Sequence, residues 1–169
     1  MAEQIYKRAL RGYEKALGAE HTSTLQTVNN LGILYKNQGK LAEAEQMYER
    51  ALRGYETALG IDNITTYIPA LNTLWGLGSL FKRQADFTKA RIMYLKALAG
   101  YEKVVGPEHP KCQSLQEILQ DLETITEGEA MKGREEPATD PQGNVSRLDS
   151  KGALSTSRRH RLFRKLGLR

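Results

Sequence analysis

Apolar residues recur at intervals of three and four along most of the first 127 positions. Between Ala44 and Leu59 they fall at Ala44, Met47, Tyr48, Ala51, Leu52, Tyr55 and Leu59, which line one face of an α-helix. Leu25, Val28, Leu31, Ile33, Leu34 and Tyr35 form a second stripe, and Leu71, Leu74, Leu77, Leu80 and Phe81 a third. The stripes alternate along the chain with no strand pattern between them, so the expected fold class is all-α, built from antiparallel helix hairpins.

The hairpins are copies of one another. AEQIYKRALRGYEKALG at residues 2–18 returns as AEQMYERALRGYETALG at 44–60 and, more worn, as ARIMYLKALAGYEKVVG at 90–106, at spacings of 42 and then 46 residues. Such a unit buries its apolar face only by stacking on its neighbours, which predicts a solenoid. Aligning LQTVNNLG (25–32) with LNTLWGLG (71–78) puts the four extra residues in a loop, where GAEHTST becomes GIDNITTYIPA and the helical register is kept.

Punctuation follows the same plan. Gly18, Gly60 and Gly106 end the second helix of each hairpin and Gly39 ends a first helix, where a left-handed cap costs glycine little. Asp86 is placed to accept a backbone N–H at the next helix start, and Pro69 suits a first helical turn. Gly32, Gly78, Ala44 and Ala90 sit where paired helices approach closely. Residues 109–127 read as one more helix in which Gln120 replaces the small residue; with no second helix after it, it is expected to cap the stack.

From about Gly128 the composition turns to Gly, Pro, Ser, Thr and charge, too poor in apolar residues for a core, and predicts a disordered tail over 128–169. Charge divides at the same point. Residues 1–127 hold 15 Lys/Arg against 15 Asp/Glu, whereas residues 150–169 hold seven basic residues and no acid, among them Arg158, Arg159, Arg161, Arg164 and Lys165. The net charge of +5 therefore belongs to the tail.

Several kinds of chemistry find no support. GLGSLF at 76–81 lacks the third glycine of a phosphate loop and lies inside a helix, and no G-x-x-x-x-G-K-[ST] occurs. His21 and His109 occupy equivalent loop positions beside Glu20 and Glu108, which repetition explains better than acid–base chemistry. Cys112 is the only cysteine, with no base at a recognisable spacing and no Cys/His set for zinc. Asn144-Val145-Ser146 fits a glycosylation pattern by chance. No catalytic residue, cofactor or metal is expected. No apolar run is long enough to span a bilayer and MAEQIYKRAL lacks a secretory layout, so a cytoplasmic protein is the expectation, with nuclear import through the basic tail as a variant.

The pattern resembles the tetratricopeptide repeat. Val28, Leu31, Gly32, Tyr35, Ala44, Tyr48 and Ala51 match its helix-packing positions in one copy, and Leu74, Leu77, Gly78, Phe81, Ala90, Tyr94 and Ala97 in the next. The 42-residue period, the NNLG element and the LG-x-x-H loop are similar to the kinesin light chain branch, and such arrays also resemble those ending fungal signalling proteins with an upstream nucleotide-binding domain of the NB-ARC or NACHT type. On this likeness the domain plan is a half repeat at 1–18, full repeats at 19–60 and 61–106, a capping helix at 107–127 and the tail. The first copy has a second helix, with Ile5, Ala9, Leu10 and Tyr13, whose partner first helix is absent, so a fragment or a shortened relative of a longer array is expected.

The resemblance also implies a function. Family members bind extended peptides on a concave face lined by first helices, using asparagine amides and cations. Carried onto this chain, that face holds Asn29, Ile33, Lys36 and Asn37, then Trp75, Ser79, Lys82 and Arg83, followed by Glu117 and Asp121 on the last helix. The cations favour an acidic or carboxylate-bearing segment, the amides suit a peptide bond, and Trp75 is an aromatic anchor. Other readings stand beside these. Asn29 and Asn30 are inherited repeat residues, the three cations stabilise helix ends, and Trp75, which replaces the family's first asparagine, packs under the inserted loop near Tyr67 and Ile68. The expected function is a protein-interaction scaffold without catalysis. The alternatives are an inert stack whose basic tail binds nucleic acid or anionic membrane, and a piece of a larger nucleotide-driven switch protein.

Overall fold

The computed structural model describes the backbone of residues 1–132 and the side chains of residues 1–128. These residues form seven helices: α1 (Ala2–Leu17), α2 (Thr22–Asn37), α3 (Leu41–Leu59), α4 (Ile61–Ile64), α5 (Ile68–Arg83), α6 (Phe87–Val105) and α7 (Pro110–Lys132). The fold class is the all-α hairpin solenoid the stripes predict. Helices α2 and α3 form one hairpin and α5 and α6 the next; α1 packs on α2, α3 on α5, and α6 on α7. The expected basic tail, with Arg158, Arg159, Arg161, Arg164 and Lys165, lies outside the described residues. Helix α7 runs on through Gly128 to Lys132.

The core is continuous along the stack. Leu25, Val28 and Leu31 of α2 meet Ala44, Tyr48, Ala51 and Tyr55 of α3, and Leu71, Leu74 and Leu77 repeat the layer against Ala90, Tyr94, Ala97 and Tyr101. Small residues set the spacing. A Cβ on Gly32 would lie 3.0 Å from the Tyr48 ring, and one on Gly78 would lie 2.7 Å from the Tyr94 ring. Each glycine therefore seats the tyrosine of its hairpin partner.

The insertion is not plain loop. It folds as the single turn α4, which buries Ile64, and Tyr67 then turns its ring edge onto Tyr55 at 5.3 Å between centroids. IDNI is too short for a helical period to declare itself in sequence, so this turn was not foreseen.

The caps differ in one respect from expectation. Gly18, Gly60 and Gly106 have φ of 96°, 83° and 86° but ψ of 163°, 153° and 157°. That is the extended positive-φ region, which is even more restricted to glycine than the left-handed helix. The chain leaves each second helix straight toward the next first helix. There Thr24 Oγ1 donates to the Gly18 carbonyl at 2.8 Å and Cys112 Sγ to the Gly106 carbonyl at 3.3 Å. His21 and His109 accept from the backbone N–H of Ser23 and Lys111, both at 3.2 Å, as caps of α2 and the start of α7.

At the hairpin turns Gly39 has φ 78°, and Ala85, its counterpart, has φ 59°. A left-handed conformation costs an L-residue roughly 1–2 kcal/mol, and glycine returns part of that through unfolded-state entropy. Ala85→Gly should therefore stabilise the chain by about 0.5–1 kcal/mol, measured as a rise in the urea midpoint at constant slope. The turn is otherwise sound, because Asp86 Oδ1 accepts from the Lys89 N–H at 3.0 Å as expected. That backbone bond first, and the Lys89 ammonium second, hold the Asp86 carboxyl below its usual range.

Candidate binding face on the first helices

The C-terminal ends of α2 and α5 lie side by side and are joined by polar side chains. Lys36 Nζ donates to Ser79 Oγ at 3.0 Å, and the Arg83 guanidinium donates to the Lys36 carbonyl. The second bond satisfies one of the carbonyls that a helix end leaves unpaired. Arg83 thus caps α2 while keeping its side chain at the exposed surface. Lys36 is half-buried, and burial first, then the Arg83 charge, pulls its ammonium below the ordinary lysine range.

One turn back, Asn29 departs from the expected role. It is only 6% exposed, and its Oδ1 accepts from Thr73 Oγ1 at 3.1 Å, a hydroxyl that also faces the Pro69 carbonyl at 2.9 Å. Its amide is buried between α2 and α5 and is not presented to solvent. Its neighbours on the same helix face stay open: Ile33 is 41% exposed and Asn37 is exposed. Lys82 is half-buried at the end of α5, and Glu117 and Asp121 are exposed on α7.

Trp75 is half-buried and stands edge-on to Tyr101, with ring centroids 6.1 Å apart at 80°. Tyr67 makes its ring pair with Tyr55. Tyr101 is the centre of a cluster the sequence reading missed. Its hydroxyl donates to Asn72 Oδ1, Lys111 Nζ reaches the same oxygen at 3.3 Å, and the ammonium lies 4.8 Å from the Tyr101 ring centroid. Burial, and secondarily Cys112, push the Tyr101 phenol up to about 12. No spacing rule links positions 72, 101 and 111; only the closed stack brings them together.

The ion pairs are Lys7–Glu3, Lys40–Glu3, Arg50–Glu14, Arg53–Glu49, Lys89–Asp86 and Arg91–Glu123, so every paired cation belongs to a second helix or to its cap. Among the described residues none of the first-helix cations Lys36, Lys82, Arg83 and Lys111 is in an ion pair. Among those residues too, no three His, Cys, Asp or Glu side chains converge as a metal ion would need, and no helix is long and apolar enough to cross a membrane. Cys112 is buried, its thiol pushed up by desolvation first and Glu102 second.

Two tetratricopeptide repeat family models match the chain, one over residues 1–57 and one over residues 71–111. The chain belongs to the tetratricopeptide repeat family. The unmatched stretch between the two tetratricopeptide segments holds α4 and the inserted turn, where the period lengthens. The fold is similar to the crystal structure of BtubC (BKLC) from P. vanneervenii, a kinesin light chain-like protein, with a TM-score of 0.58 and 21% identity over 89% of this chain. The chain spans 63% of the length of that relative. None of the curated proteins matches significantly. Tetratricopeptide repeats are protein-interaction scaffolds, and these carry the packing that such scaffolds use.

Proposed function

We propose that the chain is an adaptor whose first-helix face holds an acidic or carboxylate-bearing segment of a partner protein. The observation that carries this reading is the unpaired charge. Lys36, Lys82 and Arg83 end adjacent first helices without a carboxylate partner among the described residues, whereas Lys7, Arg50, Arg53, Lys89 and Arg91 of the second helices each have one. A half-buried ammonium whose hydrogen-bond partner is a serine hydroxyl gains strongly from an incoming carboxylate, because charge-assisted bonds exceed neutral ones about twofold. Ser79 and Arg83 hold Lys36 in place before the ligand arrives, which lowers the ordering cost of binding. Ile33 and Trp75 supply apolar contact alongside, and Asn37 an amide for the ligand backbone.

The test compares capture of partners from native lysate, and of an acidic peptide array, by the full chain, by the Lys36→Glu/Lys82→Glu/Arg83→Glu variant and by a chain lacking residues 150–169. The same protein should bind wild type and the truncated chain and lose at least tenfold on charge reversal, with circular dichroism showing an intact helical fold. Capture that survives reversal but not truncation would move binding to the tail and sink the proposal.

A further inference from the structure

The copies of the repeat part company at the start of α7. Cys112 stands there in the place of Thr24, each donating to the carbonyl of its capping glycine, so Lys111 occupies the position held by Ser23 in α2 and by Pro69 in α5. Its ammonium donates to Asn72 Oδ1 at 3.3 Å and to the Tyr101 hydroxyl at 3.4 Å. A lysine only donates, so the Asn72 atom that faces it is the oxygen, and among the described residues the Asn72 Nδ2 group has no hydrogen-bond partner. In the middle copy the matching Tyr55 hydroxyl is buried without a partner, and an exposed Gln26 stands at the Asn72 position. Repetition therefore does not account for the Lys111 cluster.

Asn72, Trp75, Ser79 and Arg83 recur at three and four residues and share one stripe of α5. A cation sits at each end of it. Lys36 Nζ lies on Ser79 Oγ at 3.0 Å and Lys111 Nζ on Asn72 Oδ1, both lysines are half-buried, and among the described residues neither is in an ion pair. The two anchoring side chains are two helical turns apart, about 10 Å along α5, with Trp75 between them. On α7 the sign reverses. The positions that match Trp75 and Ser79 are Glu117 and Asp121, both exposed.

We infer that the partner segment carries two acidic side chains three residues apart and lies extended along α5, with one carboxylate on Lys36 and the other on Lys111; this rests on the acidic ligand proposed above. In a polyproline-like segment, positions i and i+3 face the same way about 9 Å apart, which spans the two ammonium groups. A pleated strand places same-side residues about 7 or 13 Å apart and misses them, and a helical ligand would need acids seven residues apart. The second carboxylate gives Lys111 a charge-assisted bond where it now has only neutral oxygens and an aromatic face. Asn72 Nδ2 is left to donate to a ligand carbonyl. Glu117 and Asp121 repel an acidic run that continues across α7, so the preference is for a spaced pair and not for acidity in general.

The probes are short, end-blocked, fluorescein-labelled peptides of alanine, serine and proline that carry one glutamate, or two at separations of one to seven positions, titrated with the full chain. A separation of three should bind at least tenfold tighter than the single glutamate and tighter than any other separation. Lys111→Met should abolish that gain while changing single-glutamate affinity less than twofold, which shows that the fold and the Lys36 end are intact. Single-glutamate binding with no tenfold gain at separation three, a gain that survives Lys111→Met, or a preference for separation seven overturns the inference and leaves the proposed function standing. If no peptide binds up to millimolar chain, the acidic-ligand reading itself fails and the paired spacing falls with it.

Discussion

Gly100→Ala should unfold the chain about 5–10 °C sooner, although alanine is the better helix former. Helix propensity alone favours the change by about 1 kcal/mol. The space does not allow it. An added Cβ would run into Leu71 Cδ2 and stand 2.6 Å from the backbone oxygen of Thr65, and a carbonyl anchored by the inserted turn cannot yield as a side-chain end can. Overpacking of this kind costs roughly 1–3 kcal/mol, and a net loss near 2 kcal/mol corresponds to that shift for a domain of this size. Gly54→Ala should lose less, because its neighbours are the movable ends of Leu25 and Glu20. Gly12→Ala, at the same repeat position but with nothing within 4 Å of the added Cβ, should gain. A graded order of melting temperatures, Gly12→Ala above wild type, then Gly54→Ala, then Gly100→Ala, checks the whole series by calorimetry. Equal effects at the three sites would mean that the missing Cβ does not govern helix spacing.

Those glycines illustrate how the sequence was readable and where it was not. The six longer helices, their hairpin order and the close approach at Gly32 and Gly78 follow from the period of apolar residues, because stacking is local and each copy repeats the last. Gly12, Gly54 and Gly100 carried a signal too, a mid-helix Gly-Tyr at 12–13, 54–55 and 100–101, but its meaning depends on a leucine from the partner helix. The ψ values of the capping glycines depend on where the next helix must start, which no local pattern records. Asn29 failed for a related reason. A family likeness locates an asparagine on a helix face but not the hydroxyl 44 residues away that takes it out of solvent. Among the cations, Arg83 caps α2 and stays exposed, so its helix-end role leaves the ligand-contact reading to the charge-reversal test.

The buried Asn29–Thr73 bond is where fold and binding face depend on each other. Thr73→Val keeps the volume and removes the hydroxyl, leaving the Asn29 amide between α2 and α5 without that partner. An unsatisfied buried polar group costs about 1–3 kcal/mol, so a loss of about 2 kcal/mol in urea unfolding is expected. Asn29→Leu added to Thr73→Val should recover part of it, because two apolar groups need no hydrogen bond. Binding provides the sharper distinction. If Asn29 positions the face and does not touch the ligand, Thr73→Val, which leaves every exposed group intact, should weaken capture by loosening the α2–α5 seam that sets Lys36 against Ser79 and Arg83. The double variant, having lost the asparagine entirely, should bind better than Thr73→Val alone. The reverse order, with the double variant the weaker binder, would make Asn29 a direct ligand contact and require the seam to open during binding.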